Sequence, residues 1–173
     1  LLYIGHEYSY DSFHENSDRK YLVETDIKFG DNQITMPYMG YGDAILAKES
    51  LPSIKDLTCY KSETESVIIQ NPKSPLLKFS EEKFIFADSN FFDFFSFKLS
   101  QGDKSQVLNS PFSIVISEVV AEKYFGNQDP IGEILKYNND SNFIVTGVIE
   151  NVPSNSSIKF DFVASPIDTV STV

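Results

Sequence analysis

The chain has 173 residues, 41% of them hydrophobic and 14% aromatic, and a net charge of −11. That is enough for one domain or two small ones, burying roughly 70% of the unfolded surface, and it is too apolar for a disordered chain. With no basic patch to offset the acidity, a nucleic-acid partner is excluded.

No window approaches the roughly 18 apolar residues of a membrane span, and no secretory signal is present. The sequence opens at Leu1 and not at Met, so it is expected to be an excised fragment or a processed chain. Residues 1–18 show no clean period; Tyr8, Tyr10 and Phe13 either pack on a domain base or sit at a membrane interface. Residues 21–29 alternate well enough for a strand, closed by the turn Gly30-Asp31-Asn32. Residues 43–49 read as a helix that Leu51-Pro52 ends, with Asp43 capping it or lying in its first turn. Strands are expected over 54–61 and 67–70, joined by the charged turn 62–65, and again over 83–87. Residues 71–75 carry two prolines and form a loop.

Five Phe residues, Phe91, Phe92, Phe94, Phe95 and Phe97, crowd into seven positions. Two readings stand: an exposed patch for a partner or lipid, or a core wedge between layers, which the area buried by such rings favours. Gly102-Asp103 turns the chain, and residues 105–108 are expected to form a short helix.

The most informative stretch is 113–153. Residues 113–116 are a β-branched run suited to a buried strand. Ser117 is placed to cap a helix whose first turn holds Glu118. Val119, Val120, Tyr124 and Phe125 supply its apolar stripe, and Gly126 can take the left-handed conformation that ends it. Asp129 precedes Pro130, so the helix cannot resume; Ile131 is an apolar anchor, and Gly132 marks a turn or a close backbone approach. A strand over 133–137, a turn at 138–140 and a strand over 143–149 follow. This last strand is apolar on both faces, with Gly147 inside it. After a polar turn, residues 158–164 alternate as a final strand with one wet face. Interleaved strands and short helices give a mixed α+β class.

The series IVISEVVAEKYFGNQDPIGEIL…FIVTGVIENVP resembles the periplasmic core domain of MacB-type ABC transporter permeases, the FtsX-like group. EYSYDSFHENSDRKYLV resembles the segment that leaves the first membrane helix there, and SNFFDFFSFKLSQGD resembles the aromatic middle section. Within that resemblance Ser117, Tyr124, Phe125, Gly126, Asp129, Pro130, Ile131, Gly132 and Gly147 are structural residues. The resemblance implies two subdomains like the porter and sabre parts of MacB. Residues 1–18 would be a membrane-proximal segment, 19–75 with 143–173 the proximal subdomain, and 76–142 an inserted distal one. It also implies flanking membrane helices, a second permease copy or paralogue, and a cytoplasmic ATP-binding subunit. A periplasmic adaptor is a further partner, and the place of action is the periplasmic face of a bacterial inner membrane.

Little in the sequence points to bond-making chemistry. His6 and His14 have no metal-ligand spacing, and His14 with Glu15 or Asp18 reads as solvated surface. The lone Cys59 reads as a small buried hydrophobe. Glu81 and Glu82 are adjacent and point to opposite faces of a strand; Asp88 and Asp93 flank the Phe cluster as an acidic pair. There is no phosphate-cradling loop and no nucleophile elbow. No catalytic residue, metal or cofactor is therefore expected. The function expected is a mechanical, extracytoplasmic one; the alternatives are a ligand-binding sensor domain and, third, a hydrolase.

Overall fold

The structure, a computed structural model, describes residues 10–166. His6, Tyr8 and Leu1-Leu2 lie outside the described residues. A one-turn 3-10 helix (Ser17–Arg19) comes first, then a hairpin: β1 (Thr25–Phe29) pairs antiparallel with β2 (Asn32–Met36), Ile27 opposite Ile34. Its two-residue turn needs positive φ, which Gly30 supplies at +59°. The strand expected over 21–29 is thus reduced to its second half, and Tyr21 and Leu22 are exposed. β2 is not among the expected strands, because Asn32 and Gln33 open it with polar side chains. Helix α1 (Tyr41–Ser50) covers the expected 43–49, with Asp43 in its first turn and no side-chain cap.

A nine-stranded sheet makes up the rest. Its strands are β3 (Tyr60–Ser62), β4 (Val67–Gln70), β5 (Lys78–Glu81), β6 (Phe84–Ala87), β7 (Leu99–Gln101), β8 (Ser113–Ser117), β9 (Ile134–Tyr137), β10 (Ser141–Ile149) and β11 (Phe162–Ala164). Along the sheet the order is β3-β6-β11-β8-β10-β9-β4-β5, and β7 pairs with β10. The short helix α2 (Phe91–Phe94) precedes β7, and α3 (Glu118–Phe125) follows β8. β8 and β10 are parallel neighbours. Parallel strands need a crossover, and α3 with β9 supplies it. The mixed α+β class is therefore the observed one.

Two apolar layers explain the sequence of the central strands. One layer takes Phe84, Ile114, Ile116, Val148, Phe162 and Ala164, together with Val120 and Tyr124 of α3. The other takes Ile85, Val115, Ile149 and Val163, together with Phe91, Phe92, Phe97 and Phe160. Successive strand residues point to opposite faces, so β6, β11 and residues 114–116 of β8 must be apolar. The one-wet-face reading of residues 158–164 holds over 158–161, where Ile158 and Phe160 are buried and Lys159 is exposed, but fails for β11, which lies between β6 and β8 with all three residues buried. β10 is covered on both faces only over residues 147–149; earlier along it Ile144 is 48% exposed.

Three further expectations change. The strand over 54–61 shrinks to β3, which pairs with β6 and not with β4, so residues 62–65 close no hairpin. Residues 105–108 are turns and not a helix, organised by Asp103 Oδ1, which accepts the Ser105 N–H at 3.0 Å. β5 and β7 are strands in stretches to which the reading gave no element. The sheet takes strands from both sides of residues 75 and 142.

Candidate functional site

The unit β8–α3–β9–β10 holds the residues singled out in the sequence. Ser117 is fully buried; its Oγ accepts the Val120 N–H at 3.4 Å and donates to Asp161 Oδ1 at 3.2 Å. It is the helix cap expected. Val120, Tyr124 and Phe125 are buried, but Val119 is 57% exposed and drops out of the stripe. The Tyr124 hydroxyl donates to Glu81 Oε1 at 2.6 Å, and Lys123 Nζ lies 2.7 Å from the same oxygen. Burial, then the Glu81 carboxylate, push the Tyr124 hydroxyl pKa up. Asn71, itself buried, donates from Nδ2 to Tyr124 O at 3.0 Å and so satisfies a carbonyl at the helix end. Gly126 ends the helix at φ +60° but ψ −123°, outside the left-handed helical region.

At the following turn Asp129 Oδ1 accepts the Ile131 N–H at 3.0 Å. The anchor is Pro130, which is buried; Ile131 is 39% exposed and does not serve as one. Gly132 sits at φ +81° and its N–H donates to Val145 O at 2.8 Å. The turn after β9 has Asn138 and Asn139 both at positive φ and leaves residues 138–140 between the paired Tyr137 and Ser141, with the Asp140 N–H donating to Tyr137 O at 2.9 Å. Gly147 marks a close approach: an added Cβ would meet Val107 Cγ1 at 2.8 Å. The β8–β10 register also shifts there.

A second locus joins the N-terminal segment to this body. The Asp11 N–H donates to Asn155 O and its carboxylate accepts the Ser157 N–H, each at 2.9 Å. His14 is 5% exposed, and its Nδ1 accepts the Ser96 N–H at 3.1 Å. The solvated-surface reading of His14 is therefore wrong: the rings of Phe13, Phe95 and Phe97 enclose it. Its carboxylate neighbour is Asp11, at 4.0 Å, and not Glu15 or Asp18. No signal in residues 10–20 alone reveals this, because Ser96 and two of the three rings lie about eighty positions away. The Phe cluster is a core wedge, with Phe91, Phe92 and Phe97 buried.

The third locus is a cleft of about 240 Å³ lined by Tyr41, Ile45, Lys48, Leu57, Asp88, Ser89 and Asn90. Several of its polar groups are bonded to neighbouring residues. Lys48 bonds Asp56 at 2.8 Å, Asn90 donates to Asp56 and to Leu57 O, and Asp88 accepts the Cys59 N–H. Burial, then Asp88, push the Cys59 thiol up to about 11. Burial also raises the Asp88 carboxyl. Asp93 is exposed on α2. Among the described residues no group of three or more His, Cys, Asp or Glu is placed to hold a metal ion, and no helix is long and apolar enough to cross a membrane.

From residue 2 to residue 173 the sequence matches the family described as the MacB-like periplasmic core domain. The chain belongs to that family. Three solved structures resemble this MacB-like domain. One is a domain of a protein described as a permease, from Porphyromonas gingivalis (22% identity, TM-score 0.59, 73% of this chain and 58% of that one). Another is the periplasmic region of MacB from Actinobacillus actinomycetemcomitans (25%, 0.55, 77% and 57%). The third is the extracellular domain of the noncanonic ABC-type transporter YknZ from Gram-positive bacteria (16%, 0.53, 73% and 62%). The first and third bear on the fold alone. This MacB-like domain spans about three fifths of each of those chains. Comparison with curated proteins returned no match.

Proposed function

We propose that the chain is an extracytoplasmic domain of an ABC transporter permease of the MacB and FtsX type, and that it passes on movement of the membrane helices as a rigid body. The carrying observation is the family match over residues 2–173. The packing supports the mechanical part. A sheet with apolar layers on both faces resists deformation, because close-packed interiors transmit displacement instead of absorbing it. The N-terminal segment is bonded to that sheet's surroundings at Asp11 and His14. On this proposal the domain acts at the periplasmic face of the inner membrane. Its partners are a second permease copy or paralogue, a cytoplasmic ATP-binding subunit and, in some assemblies, a periplasmic adaptor. The division into residues 19–75 with 143–173 and an inserted 76–142 belongs to the same proposal. Relative movement of those parts would have to spare nearly every pairing of the nine-stranded sheet, β3–β6, β4–β5, β4–β9, β6–β11, β8–β10 and β8–β11 among them, since these cross the division.

The sensor alternative rests on the cleft beside α1. It ranks second because Lys48, Asp88 and Asn90 are already bonded to Asp56, Cys59 and Leu57.

Labels distinguish the two. In the full permease, with Cys59→Ser as background, spin labels at Leu76→Cys in each copy report the distance between domains. A Leu76→Cys, Val119→Cys pair within one copy reports internal shape; both sites are exposed. ATP is expected to change the first distance and leave the second alone. An unchanged first distance, or an internal one that shifts with nucleotide, would reject rigid transmission.

A further inference from the structure

Residues 11–16 are wound around one buried imidazole. Asp11 and Asn16 adopt φ of 54° and 55°, conformations that Asp and Asn tolerate better than most residues. The His14 N–H donates to Asp11 O at 3.1 Å, closing the turn. Ring centroids of Phe13, Phe97 and Phe95 lie 4.1, 4.9 and 5.2 Å from that of His14. Because Nδ1 accepts from Ser96, the neutral ring carries its proton on Nε2. That nitrogen is buried and has no hydrogen-bond partner among the described residues. The Asp11 carboxylate oxygen 4.0 Å away already accepts the Ser157 N–H.

We propose that His14 is a proton-operated latch, which in its neutral form fastens the N-terminal segment to the body and on protonation lets go of the Ser96 amide. An imidazolium has two N–H donors and no acceptor, so a second proton sets N–H against N–H at Ser96. The ring must then turn toward Asp11 or leave its nest, and in both cases the Ser96 bond is lost. Glu15 N–H donates to Ser96 Oγ at 2.8 Å, so the loosening reaches the next residue of the segment.

Among the described residues, the charged and titratable groups around the latch come from four places. Its own segment brings Asp11, Glu15 and Lys20, and β3 brings Tyr60. α2 and its connection to β7 bring Asp93 and Lys98, both exposed, and the 154–157 turn is flanked by Lys159, tied to Pro153 O and Ser154 O. Burial lowers the His14 pKa, with Asp11 opposing and Lys20 adding to the effect. The docked form therefore binds fewer protons than the released one. Docking is at full strength above the free-histidine value near ~6.5 and weakens as pH falls from there through the docked-state value, by up to about tenfold per pH unit. This holds for the chain itself and does not rest on the transporter reading.

Amide exchange on the 173-residue chain tests it. The Ser96 amide, referenced to that of Val145 in the sheet, is expected to lose protection several-fold, up to about fivefold, between pH 6.5 and 5.5. His14→Asn offers an acceptor in place of Nδ1 and does not titrate, so its ratio should stay flat. A flat ratio in the unmodified chain, or the same fall in His14→Asn, overturns the latch. Should His14→Asn not fold, the His14 ring-proton titration and the Ser96 amide shift of the unmodified chain must share one midpoint; different midpoints overturn it equally.

Discussion

Gly102 and Gly132 both lie at positive φ, +97° and +81°, yet only one is hemmed in. A Cβ on Gly102 would come within 2.8 Å of both Thr146 O and Val107 Cγ1 and 3.1 Å of Gly147 Cα, whereas a Cβ on Gly132 meets nothing within 4 Å. Gly132→Ala therefore carries only the cost of an L side chain at positive φ, about 1–2 kcal/mol, less the roughly 0.5 kcal/mol gained from a stiffer unfolded chain. Gly102→Ala carries the same terms and overpacking against backbone, about 1–3 kcal/mol more. The expected losses are about 1 kcal/mol for Gly132→Ala and about 2–4 kcal/mol for Gly102→Ala. At a urea slope of ~2 kcal/mol/M, the midpoints move down by about 0.5 M and about 1–2 M. Urea unfolding followed by far-ultraviolet circular dichroism reads both. Equal shifts, or a larger one for Gly132→Ala, would mean that the 102–108 loop does not lie on β10 as described, and the account of Gly147 would fall with it.

Two further outcomes follow from buried polar groups. Tyr124→Phe removes the donor to Glu81 while Lys123 stays, so the loss is about 1–2 kcal/mol, or roughly 3–6 °C in Tm by calorimetry; an unchanged Tm would show that the hydroxyl contributes nothing. With its pKa raised to about 11, Cys59 is thiolate in only about one molecule in a thousand at pH 8. Iodoacetamide should modify it about a hundredfold more slowly than free cysteine, with the rate recovering in urea and rising with pH toward 11. Fast labelling of the folded chain at pH 8 would contradict the raised thiol pKa.

The local units were legible because each depends on neighbours in sequence. Ser117 before an apolar, acid-led helix is a cap wherever the helix packs. Asp129-Pro130 stops a helix by sterics alone, and two adjacent asparagines turn a hairpin by their tolerance of positive φ. The same short-range logic misassigned Val119 and Ile131, whose burial depends on which way the helix and turn are rolled against a sheet the sequence does not display. Of the candidate sites, His14 was the clearest miss. It looks like surface in a polar stretch, and becomes core only when Ser96, Phe95 and Phe97 close over it.

By itself, then, the order of residues determined the mixed class, the strand–helix–strand unit over 113–149 and the family to which the chain belongs, since those rest on caps, turns and short apolar periods. Only the tertiary structure decided that β11 is a central strand and not a half-wet edge, that β3 pairs with β6, and that a histidine holds the N-terminal segment in place. Each of those is a pairing between residues tens of positions apart, and the free energy that selects it comes from area buried jointly by both partners, which neither segment carries alone.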